Sequence, residues 1–395
     1  MNIAIIGCGY VADLYATTLG NYPALSLIGA CDRNPENLEA FCRRWPARKY
    51  GSVDELADDP AIELVLNLIN PRNHFSVTRQ CLEAGKHVYS EKPLAMTTQS
   101  AVELADLADR KQLILGSAPC SVLSETAQTL WKAIREGVVG KIRLVYANFD
   151  DGMIAPNQSP WLWRNANGVP WPAKDEFEVG CTYEHAGYVL TWLGAFFGPA
   201  LNVTSFASCQ IPDKGIPVDV IAPDFSVGCI EYADGVVARV TFGLVAPRDK
   251  SLTVIGDDGV LFVGNVRNDA APVYVRRSKP GRLQAMIAGR TPWLHRWLES
   301  RVASSAWDAI FQRRYPLVRK PRGRMAGTGK PVDFLRGPAE IADAIRERRP
   351  CRLSGQFGAH IVELIEALQH PERSGGGKKK MITSFPPIQP LSWAS

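Results

Sequence analysis

A charged pair at the end of a predicted strand is the first feature that could carry chemistry. In VYSEKPLAM (88–96), the strand pattern stops at Glu91-Lys92-Pro93, and a helix is expected shortly afterwards. In open α/β sheets, ligands bind outside the carboxyl ends of the strands. The sequence therefore places a lysine and a carboxylate where a ligand would be expected, and the identity of the group that Lys92 faces becomes the central question.

A glycine-rich turn near residue 10 is the second such feature. In MNIAIIGCGYVADLY, an apolar run leads into GCGYVA (7–12), which fits the pattern G-x-G-x-x-G/A. The first glycine allows a tight turn, the second lets the backbone approach a pyrophosphate, and a small third residue lets helix and strand pack closely. The predicted cofactor contacts in this turn are Gly7, Gly9, Tyr10, Val11 and Ala12.

An acidic residue after the next predicted strand supports a dinucleotide site. Asp32 ends the run LSLIGACD and lies 20 residues after Ala12, where a carboxylate can bind the hydroxyl groups of an adenosine ribose. The alternative is a solvated loop acid, since CDRNPEN also looks like a turn before a helix. A carboxylate would repel a 2′-phosphate, so Asp32 favours NAD, although the neighbouring Arg33 keeps NADP as an alternative.

Strand and helix patterns alternate through the first third of the chain. Apolar runs such as ELVLNLIN (63–70) are separated by amphipathic segments such as HFSVTRQCLEAG (74–85). This alternation predicts βαβ units and a parallel sheet, so the fold class is α/β with an N-terminal Rossmann domain over residues 1–120. After residue 120, a helix and then consecutive strand patterns predict a second domain over residues 121–395.

Composition limits the compartment and the kinds of site. Of the 395 residues, 46% are hydrophobic and 22% are charged, which is typical of a globular protein with two domains. The nine cysteines form no C-x-x-C pair, which argues against a zinc site or a disulfide framework and for a reducing compartment. No metal site is therefore predicted. With no apolar run of about 18 residues and no signal peptide evident, the expected location is the cytoplasm.

Taken together, these motifs resemble those of the Gfo/Idh/MocA oxidoreductase family, the relatives of glucose-fructose oxidoreductase and inositol dehydrogenase. The resemblance rests on GCGYVA, on Asp32, on N-P-x-x-H at residues 70–74, and above all on GKHVYSEKPLA (85–95). It implies a Rossmann domain followed by an α+β domain with a large, mostly antiparallel open sheet, and a nicotinamide cofactor in the cleft between them. It also implies that Lys92 lies beside the nicotinamide and the reacting hydroxyl, where an ammonium stabilises a developing alkoxide. The further cofactor contacts that it implies are Asn70, Pro71, His74, Glu91 and Lys92 itself.

The acid–base residue of the second domain departs from the family pattern. Relatives carry D-x-G-x-H on a helix, and the matching stretch here is EVGCTYEHAGYVLTWLGAFFGP (178–199). Anchored on FFGP, the acid position is Glu184 and the histidine position is Tyr188, which share a helix face at i, i+4. In the rival register His185 takes the histidine position, but Cys181 then replaces the acid. A tyrosine has an ordinary pKa of ~10, which a nearby Lys92 is expected to lower.

A tryptophan-rich loop before that helix supplies candidate substrate contacts. The run SPWLWRNANGVPWPAKDEFE (159–178) offers apolar aromatic faces and hydrogen-bond donors suited to sugars. The predicted substrate-binding residues are Trp163, Arg164 and Lys174. Ordinary packing is the equally weighted alternative, and the acids at the end of the run are as well suited to facing solvent.

Positive charge is concentrated late in the chain. Residues 267–330 hold 15 Lys and Arg but only Asp269, Glu299 and Asp308, so this apparent insertion has a net charge of +12. Trp293 and Trp297 lie at i, i+4 on a basic helical pattern, which suits a membrane surface or a phosphorylated or lipid-linked sugar. The alternative is a solvated helical excursion packed on the sheet or on a neighbouring subunit. Nucleic acid fits poorly, because no recognition module accompanies the charge.

These features favour an NAD(P)-dependent oxidoreductase that transfers hydride between nicotinamide and a sugar hydroxyl or ketone. The substrate would be a free sugar, a cyclitol or a nucleotide-linked sugar. Two alternatives stay open: a non-catalytic sensor that binds dinucleotide and sugar, and a glycosidase that cycles its NAD internally. A homo-oligomer that forms through the second-domain sheet is also expected.

Overall fold

The computed structural model describes residues 1–277, 312–318 and 332–395. Within these ranges the chain forms a six-stranded sheet and then a nine-stranded sheet, with helices packed against both. The first sheet is parallel throughout, and the second is mostly antiparallel. The predicted fold class is therefore confirmed.

The parallel sheet has the strand order β3-β2-β1-β4-β5-β6. Every residue of β4 is buried, as expected for a parallel strand that is covered on both faces. The order reverses between β1 and β4, and the crevice at such a reversal is where α/β sheets bind ligands. The strands are β1 (Asn2–Ile6), β2 (Ser26–Cys31), β3 (Arg48–Tyr50), β4 (Leu64–Asn67), β5 (His87–Ser90) and β6 (Leu115–Ser117). The helices are α1 (Ala12–Ala16), α2 (Pro35–Arg44), α3 (Val53–Asp58), α4 (His74–Glu83) and α5 (Thr98–Arg110).

The second sheet has the order β14-β13-β12-β11-β7-β10-β9-β8-β15. Its central pair, β7 and β10, is parallel, and the remaining pairs are antiparallel. Strands β9 and β10 meet through Asp234-Gly235, as the hairpin signal predicts. The strands are β7 (Ile142–Asp150), β8 (Asn202–Ser208), β9 (Phe225–Glu231), β10 (Val237–Gly243), β11 (Leu252–Gly256), β12 (Gly259–Val263), β13 (Val273–Arg277), β14 (Arg313–Arg314) and β15 (Lys379–Lys380).

One long helix near the end of the chain connects the two sheets. Glu366 on this helix accepts a hydrogen bond from the backbone N–H of Thr98 at 3.0 Å, at the start of α5. The backbone carbonyl of Ala367 accepts one from Ser205 on β8 at 2.8 Å. The helix therefore holds the second sheet against the Rossmann sheet. The remaining helices are α6 (Glu125–Arg135), α7 (Ile154–Gln158), α8 (Ala173–Val179), α9 (Cys181–His185), α10 (Gly187–Phe197), α11 (Arg336–Glu347) and α12 (Gly355–Gln369), the connecting helix.

The stretch that the sequence predicts as a single helix at 178–199 contains parts of three. Gly180 separates α8 from α9 with a φ of +91°, and a Cβ on it would stand 2.8 Å from the Gln369 side chain. Only Ala186 separates α9 from α10, and its φ of −63° and ψ of −32° are helical. The helical turn therefore continues from Glu184 to Tyr188, and the predicted i, i+4 relation is preserved.

Most of the basic segment at 267–330 lies outside the described residues. Trp293, Trp297, Glu299 and Asp308 are among these residues. The basic amphipathic helix predicted there therefore stays a prediction. Within the described residues, no helix has both the length and the apolar character needed to cross a bilayer.

Candidate active site

A cavity of about 830 Å³ opens at the carboxyl ends of the Rossmann strands and extends to the second domain. It falls within the range of roughly 300–1,000 Å³ that is typical of small-molecule and cofactor sites. Its walls include the ends of β1 and β2, the segments that follow β4 and β5, and side chains from α8, α9 and α10. Residues of both domains therefore line a single site.

The glycine turn forms one wall of the cavity. Gly7 has a φ of +95°, and a Cβ there would stand 2.8 Å from the backbone of Leu68 and Ile69, so only glycine fits. A Cβ on Gly9 would have no atom within 4 Å, so open space lies beside its backbone. Of the predicted contacts in this turn, Gly7, Gly9, Tyr10 and Val11 line the cavity. Ala12 is instead fully buried in the helix–strand contact.

Asp32 also lines the cavity, and its orientation is fixed by the backbone. One carboxylate oxygen accepts the N–H of Cys8 at 2.6 Å, and the other accepts the N–H of Asn34 at 2.7 Å. Each oxygen keeps a second lone pair, so the carboxylate can still accept from a ligand hydroxyl. Arg33 lines the cavity beside it. The geometry therefore supports the predicted ribose contact and leaves a cation close by.

Lys92 lies just after β5 ends, with its side chain in a partly buried ion pair with Glu184 on α9. Glu91 braces this loop, because it accepts the backbone N–H of Lys92 at 2.8 Å and the Tyr15 hydroxyl at 2.7 Å. Burial is the largest single effect and would lower the pKa of Lys92, but the surrounding acidic groups, Glu184 first among them, together outweigh it and the pKa is raised. Lys92 is therefore an ammonium throughout the physiological range.

Two carboxyl groups meet beside this lysine. Burial is the largest single effect on Glu184 and would raise its pKa, but the charge of Lys92 and the hydrogen bond with Glu176 help to outweigh it, and the pKa is lowered to about 2. Glu176 on α8 is buried at 9% exposure, and its pKa is raised well above the ordinary value, first by burial and then by the charge of Glu184. The two side chains hydrogen-bond to each other, which requires one proton between two carboxylates. Glu176 is therefore the neutral member of the pair.

Tyr188 lines the cavity beside Lys92 and Glu184. Its ring stacks on Phe149 with centroids 5.0 Å apart and an angle of 12°, and the guanidinium of Arg267 lies 5.1 Å from its centroid. The expectation that its pKa would be lowered is wrong. Burial raises the pKa above 10.0, although Arg267 and Lys92 act in the opposite direction. The phenol is therefore protonated at neutral pH.

His185, the rival acid–base candidate, does not line the cavity. It is buried, with its ring centroid 4.8 Å from Phe149 and its Nε2 3.4 Å from Asp151. Burial lowers its pKa to about 4, so the ring is neutral. Glu184 and Tyr188 are thus the pair that the structure brings to the cleft.

The N-P-x-x-H motif is only partly at the cavity. Asn70 and Pro71 line it, but His74 does not. His74 is fully buried, with Nδ1 2.6 Å from the carbonyl oxygen of Pro93 and Nε2 3.0 Å from that of Ile69. Instead of contacting a cofactor directly, as the family resemblance implied, His74 holds the loop that carries Lys92.

The predicted substrate contacts in the tryptophan-rich loop do not line the cavity. Arg164 donates to the carbonyl oxygens of Trp161 and Trp163, and Lys174 pairs with Asp219 at 2.8 Å. These are contacts made within the protein, so the structure does not bring Trp163, Arg164 and Lys174 to the cavity wall. Other residues of the same loop do reach it, namely Val169, Pro170, Trp171, Pro172, Asp175 and Glu176.

The same loop crosses the glycine turn. The side-chain amide of Asn165 donates to the carbonyl oxygens of Tyr10 at 3.2 Å and Gly9 at 3.4 Å, and its own oxygen accepts the N–H of Val169 at 3.0 Å. Farther along, Asn70 donates to Asp175 at 2.8 Å. The segment 163–175, here called the strap, therefore spans the two halves of the site.

Sequence reasoning missed three residues of this site: Asn165, Glu176 and Arg267. Asn165 carried no motif, and Glu176 looked like one of several acids suited to solvent. Arg267 was noted only as the first residue of the basic segment. No local pattern identifies them, because each reaches the site through packing between distant parts of the chain.

Two family models match the chain. The Gfo/Idh/MocA oxidoreductase model, with an NAD-binding Rossmann fold, matches residues 1–118, and the Gfo/Idh/MocA C-terminal domain model matches residues 127–262. The chain belongs to the Gfo/Idh/MocA oxidoreductase family. The predicted family is thereby confirmed, and with it an oxidoreductase that has an NAD-binding Rossmann domain.

Individual relatives of this Gfo/Idh/MocA protein have low sequence identity to it, but they match over most of their length. The scyllo-inositol 2-dehydrogenase (NADP⁺) of Bacillus subtilis is 22% identical over 339 residues, or 83% of this chain and 82% of that protein. The aldose-aldose oxidoreductase of Caulobacter crescentus has a TM-score of 0.74 at 17% identity, covering 96% of this chain and 99% of its own. The WlbA dehydrogenase of Bordetella pertussis, solved with NADH and UDP-GlcNAcA, has a TM-score of 0.68 at 18% identity, covering 97% and 98%. At these identities the structural likeness shows a shared fold.

Proposed function

We propose that this oxidoreductase interconverts a secondary hydroxyl group and a ketone on a sugar-like substrate, using NAD. The observation that supports this most directly is the convergence of Lys92, Glu184 and Tyr188 on one cavity. The opposite end of that cavity carries the glycine turn and Asp32. Relatives named for cyclitol and sugar substrates support the substrate class.

The residues of the cavity fit a dinucleotide. The open space beside Gly9 is where a Cβ would obstruct a pyrophosphate, and the Asp32 carboxylate is held facing the ribose position. Asn70, Pro71 and Glu91 line the stretch that leads to the second domain. When bound, nicotinamide would supply the hydride acceptor or donor.

The protein side chains have separate roles in the proposed oxidation. Tyr188, in its phenolate form, accepts the proton of the substrate hydroxyl, which leaves an alkoxide whose charge the Lys92 ammonium stabilises. Glu184 holds the ammonium in place through its ion pair, and neutral Glu176 in turn donates a hydrogen bond to Glu184. In the reverse direction the protonated phenol of Tyr188 returns the proton to the oxygen. Because Glu184 is already paired with Lys92, Tyr188 is the better placed acid–base group.

The test combines binding with turnover. NAD binding is measured by calorimetry, and hydride transfer is followed at 340 nm with free sugars, cyclitols and nucleotide-linked sugars. Lys92→Met is expected to retain NAD binding and to lower kcat by roughly 10²- to 10³-fold, because it removes the charge that stabilises the alkoxide. Lys111→Met, which changes an exposed lysine on the same domain, is the matched control.

Other outcomes separate the alternatives. If the protein binds NAD and a sugar but transfers hydride with no member of the panel, it behaves as a sensor and the proposal fails. If it cleaves a glycoside without net formation of NADH, it is an NAD-cycling glycosidase.

A further inference from the structure

The cationic side chains around the cavity differ in whether a carboxylate of the protein already pairs with them. Among the described residues that line it, the cations are Arg33, Lys92 and Arg267. Arg33 lies beside Asp32 at the predicted adenosine end, and Lys92 is paired with Glu184. Arg267 makes no ion pair with any residue that the structure describes, although it is beside Tyr188 at the reacting end.

The backbone that carries Arg267 is firmly held. Its N–H donates to the side chain of Asn265 at 2.9 Å, and the N–H of Val266 donates to the carbonyl oxygen of Lys250 at 2.9 Å. Two residues later, the buried carboxylate of Asp269 accepts from Arg336 at 3.1 Å. The guanidinium is therefore presented from a fixed loop, which lowers the entropy cost of using it to bind a ligand.

The carboxylates around Arg267 already have partners. Asp151 is bound by Lys250 at 2.6 Å and approached by Arg248 and His185, both at 3.4 Å. Glu91 accepts hydrogen bonds from the Tyr15 hydroxyl and the Lys92 backbone. The guanidinium thus keeps donors available for a ligand, and its planar fork matches the geometry of a carboxylate or a phosphate.

We propose that Arg267 binds an anionic substituent, a carboxylate or a phosphate, on the same sugar ring that is oxidised. The substrate class is then an anionic sugar, either a sugar acid or a sugar phosphate. This inference rests on the proposed function, because it places the reacting hydroxyl between Tyr188 and Lys92. A neutral sugar would leave the guanidinium without an ionic partner at the reacting end.

A narrower role for Arg267 would be to act only on Tyr188. Its positive charge lowers the pKa of the phenol, in opposition to burial. Loss of that effect would change kcat and its pH profile equally for charged and neutral substrates. Loss of an anion contact would instead raise KM selectively for the anionic substrates, so the two roles are separable.

The experiment compares Arg267→Gln and Arg267→Lys with Arg248→Gln. Arg248 is a suitable control because it is 73% exposed, does not line the cavity, and leaves Asp151 with its closer partner Lys250. The probes are glucose, galactose and mannose, each supplied as the free sugar, the uronate and the 6-phosphate. Binding to the NADH complex is measured by calorimetry, and KM and kcat by hydride transfer with NAD.

The proposal predicts that uronates or sugar phosphates bind more tightly than the matching free sugars. Arg267→Gln should remove this preference and raise KM for the anion roughly ten- to hundred-fold, the cost of one charge-assisted contact. Arg267→Lys should restore part of it, and Arg248→Gln should retain it. Comparison of the uronate and phosphate series then identifies the anion.

Four results distinguish the failure of this inference from that of the proposed function. Hydride transfer from free sugars with no preference for anions overturns the anion subsite and leaves the oxidoreductase proposal intact. Arg267-dependent anion binding with no hydride transfer supports the subsite and overturns the proposed reaction. A protein that neither binds nor oxidises any of the probes contradicts the subsite. If Arg267→Gln changes only kcat and its pH profile, Arg267 acts on Tyr188 alone and the anion subsite is overturned.

Discussion

At the scale of single residues, the ionisation of Tyr188 decides how the site works. The phenol is buried against Phe149, with cationic Arg267 and Lys92 nearby, and burial dominates, so that its pKa is raised above 10.0. Lys92 has a raised pKa and Glu184 a lowered one, so both keep their charges between pH 6 and 10. Among the three proposed catalytic groups, Tyr188 alone is expected to change its charge state as the pH rises.

We therefore predict opposite pH dependences for the two directions of the reaction. Oxidation needs the phenolate, so kcat/KM should rise by up to about tenfold per pH unit from pH 7 upward, because the folded pKa lies above that range. Reduction uses the protonated phenol and should be nearly flat over the same interval. The measurement is the pH profile in both directions for the wild type and Tyr188→Phe. If the variant keeps the rise, another group is the base.

The carboxyl pair beside Lys92 allows a second prediction. Glu176 is neutral and donates to Glu184, so Glu176→Gln should keep activity within about threefold at pH 6, since an amide can donate the same hydrogen bond. Glu184→Gln removes the counter-ion of a partly buried ammonium and should lower kcat roughly a hundredfold. Steady-state kinetics of the two variants check this. Equal losses in both would contradict the assignment of the proton to Glu176.

The same pair makes stability depend on pH. The pKa of Glu176 is raised in the folded protein. Its contribution to the free energy of unfolding is therefore fully present below the pKa of 4.5 in the unfolded chain, and it is lost as the pH rises through the folded pKa. The unfolding temperature of the wild type should therefore fall relative to that of Glu176→Gln between pH 5 and 8. Parallel curves for the two proteins would show that Glu176 does not hold the proton.

At the scale of elements, the sequence predicted the features that depend on local pattern. Gly7, Asp32 and Lys92 each stand at the carboxyl end of a parallel strand, and strand alternation together with short motifs is enough to place them. The i, i+4 spacing also predicted the pairing of Glu184 with Tyr188. It could not decide against His185, because that depends on which residue packs against Phe149 and Asp151, at the end of β7 and just after it. The strap contacts were likewise not predictable, since they join residues about 155 positions apart.

The strap gives a prediction about cofactor exchange. Asn165 ties the strap to the backbone of the glycine turn through two hydrogen bonds, each worth about 0.5–1.5 kcal/mol. Asn165→Ala should therefore speed NADH dissociation roughly three- to tenfold, while the catalytic step stays unchanged. Stopped-flow displacement of NADH measures the rate. The control is Asn167→Ala, because the side chain of Asn167 makes no hydrogen bond within the described residues, and this variant should behave like the wild type. An equal effect of both variants would indicate general loosening of the loop.

At the scale of the whole molecule, the outer face of the nine-stranded sheet is the feature most in need of a partner. Buried and less buried residues alternate along β9, and α10 and α12 contact strands of this sheet, so one face is covered and the other is more exposed. Phe206 on β8 is 56% exposed and Leu144 on β7 is 37% exposed. Between these strands, exposed Cys229 on β9 lies opposite Arg239 on β10. A broad, partly apolar sheet surface of this kind marks an interaction site.

We predict that this face joins two or more copies of the chain. Phe206→Glu should convert the oligomer to a monomer, because it places a charge in an apolar contact, and light scattering after size exclusion will measure the change. Ile382→Glu, a change at an 83% exposed residue elsewhere, is the control and should leave the mass unaltered. The thiol of Cys229 provides a second readout, since it should react slowly with a thiol reagent in the wild type and rapidly in Phe206→Glu. A monomeric wild type in which Cys229 reacts at once would show that the face is open to solvent.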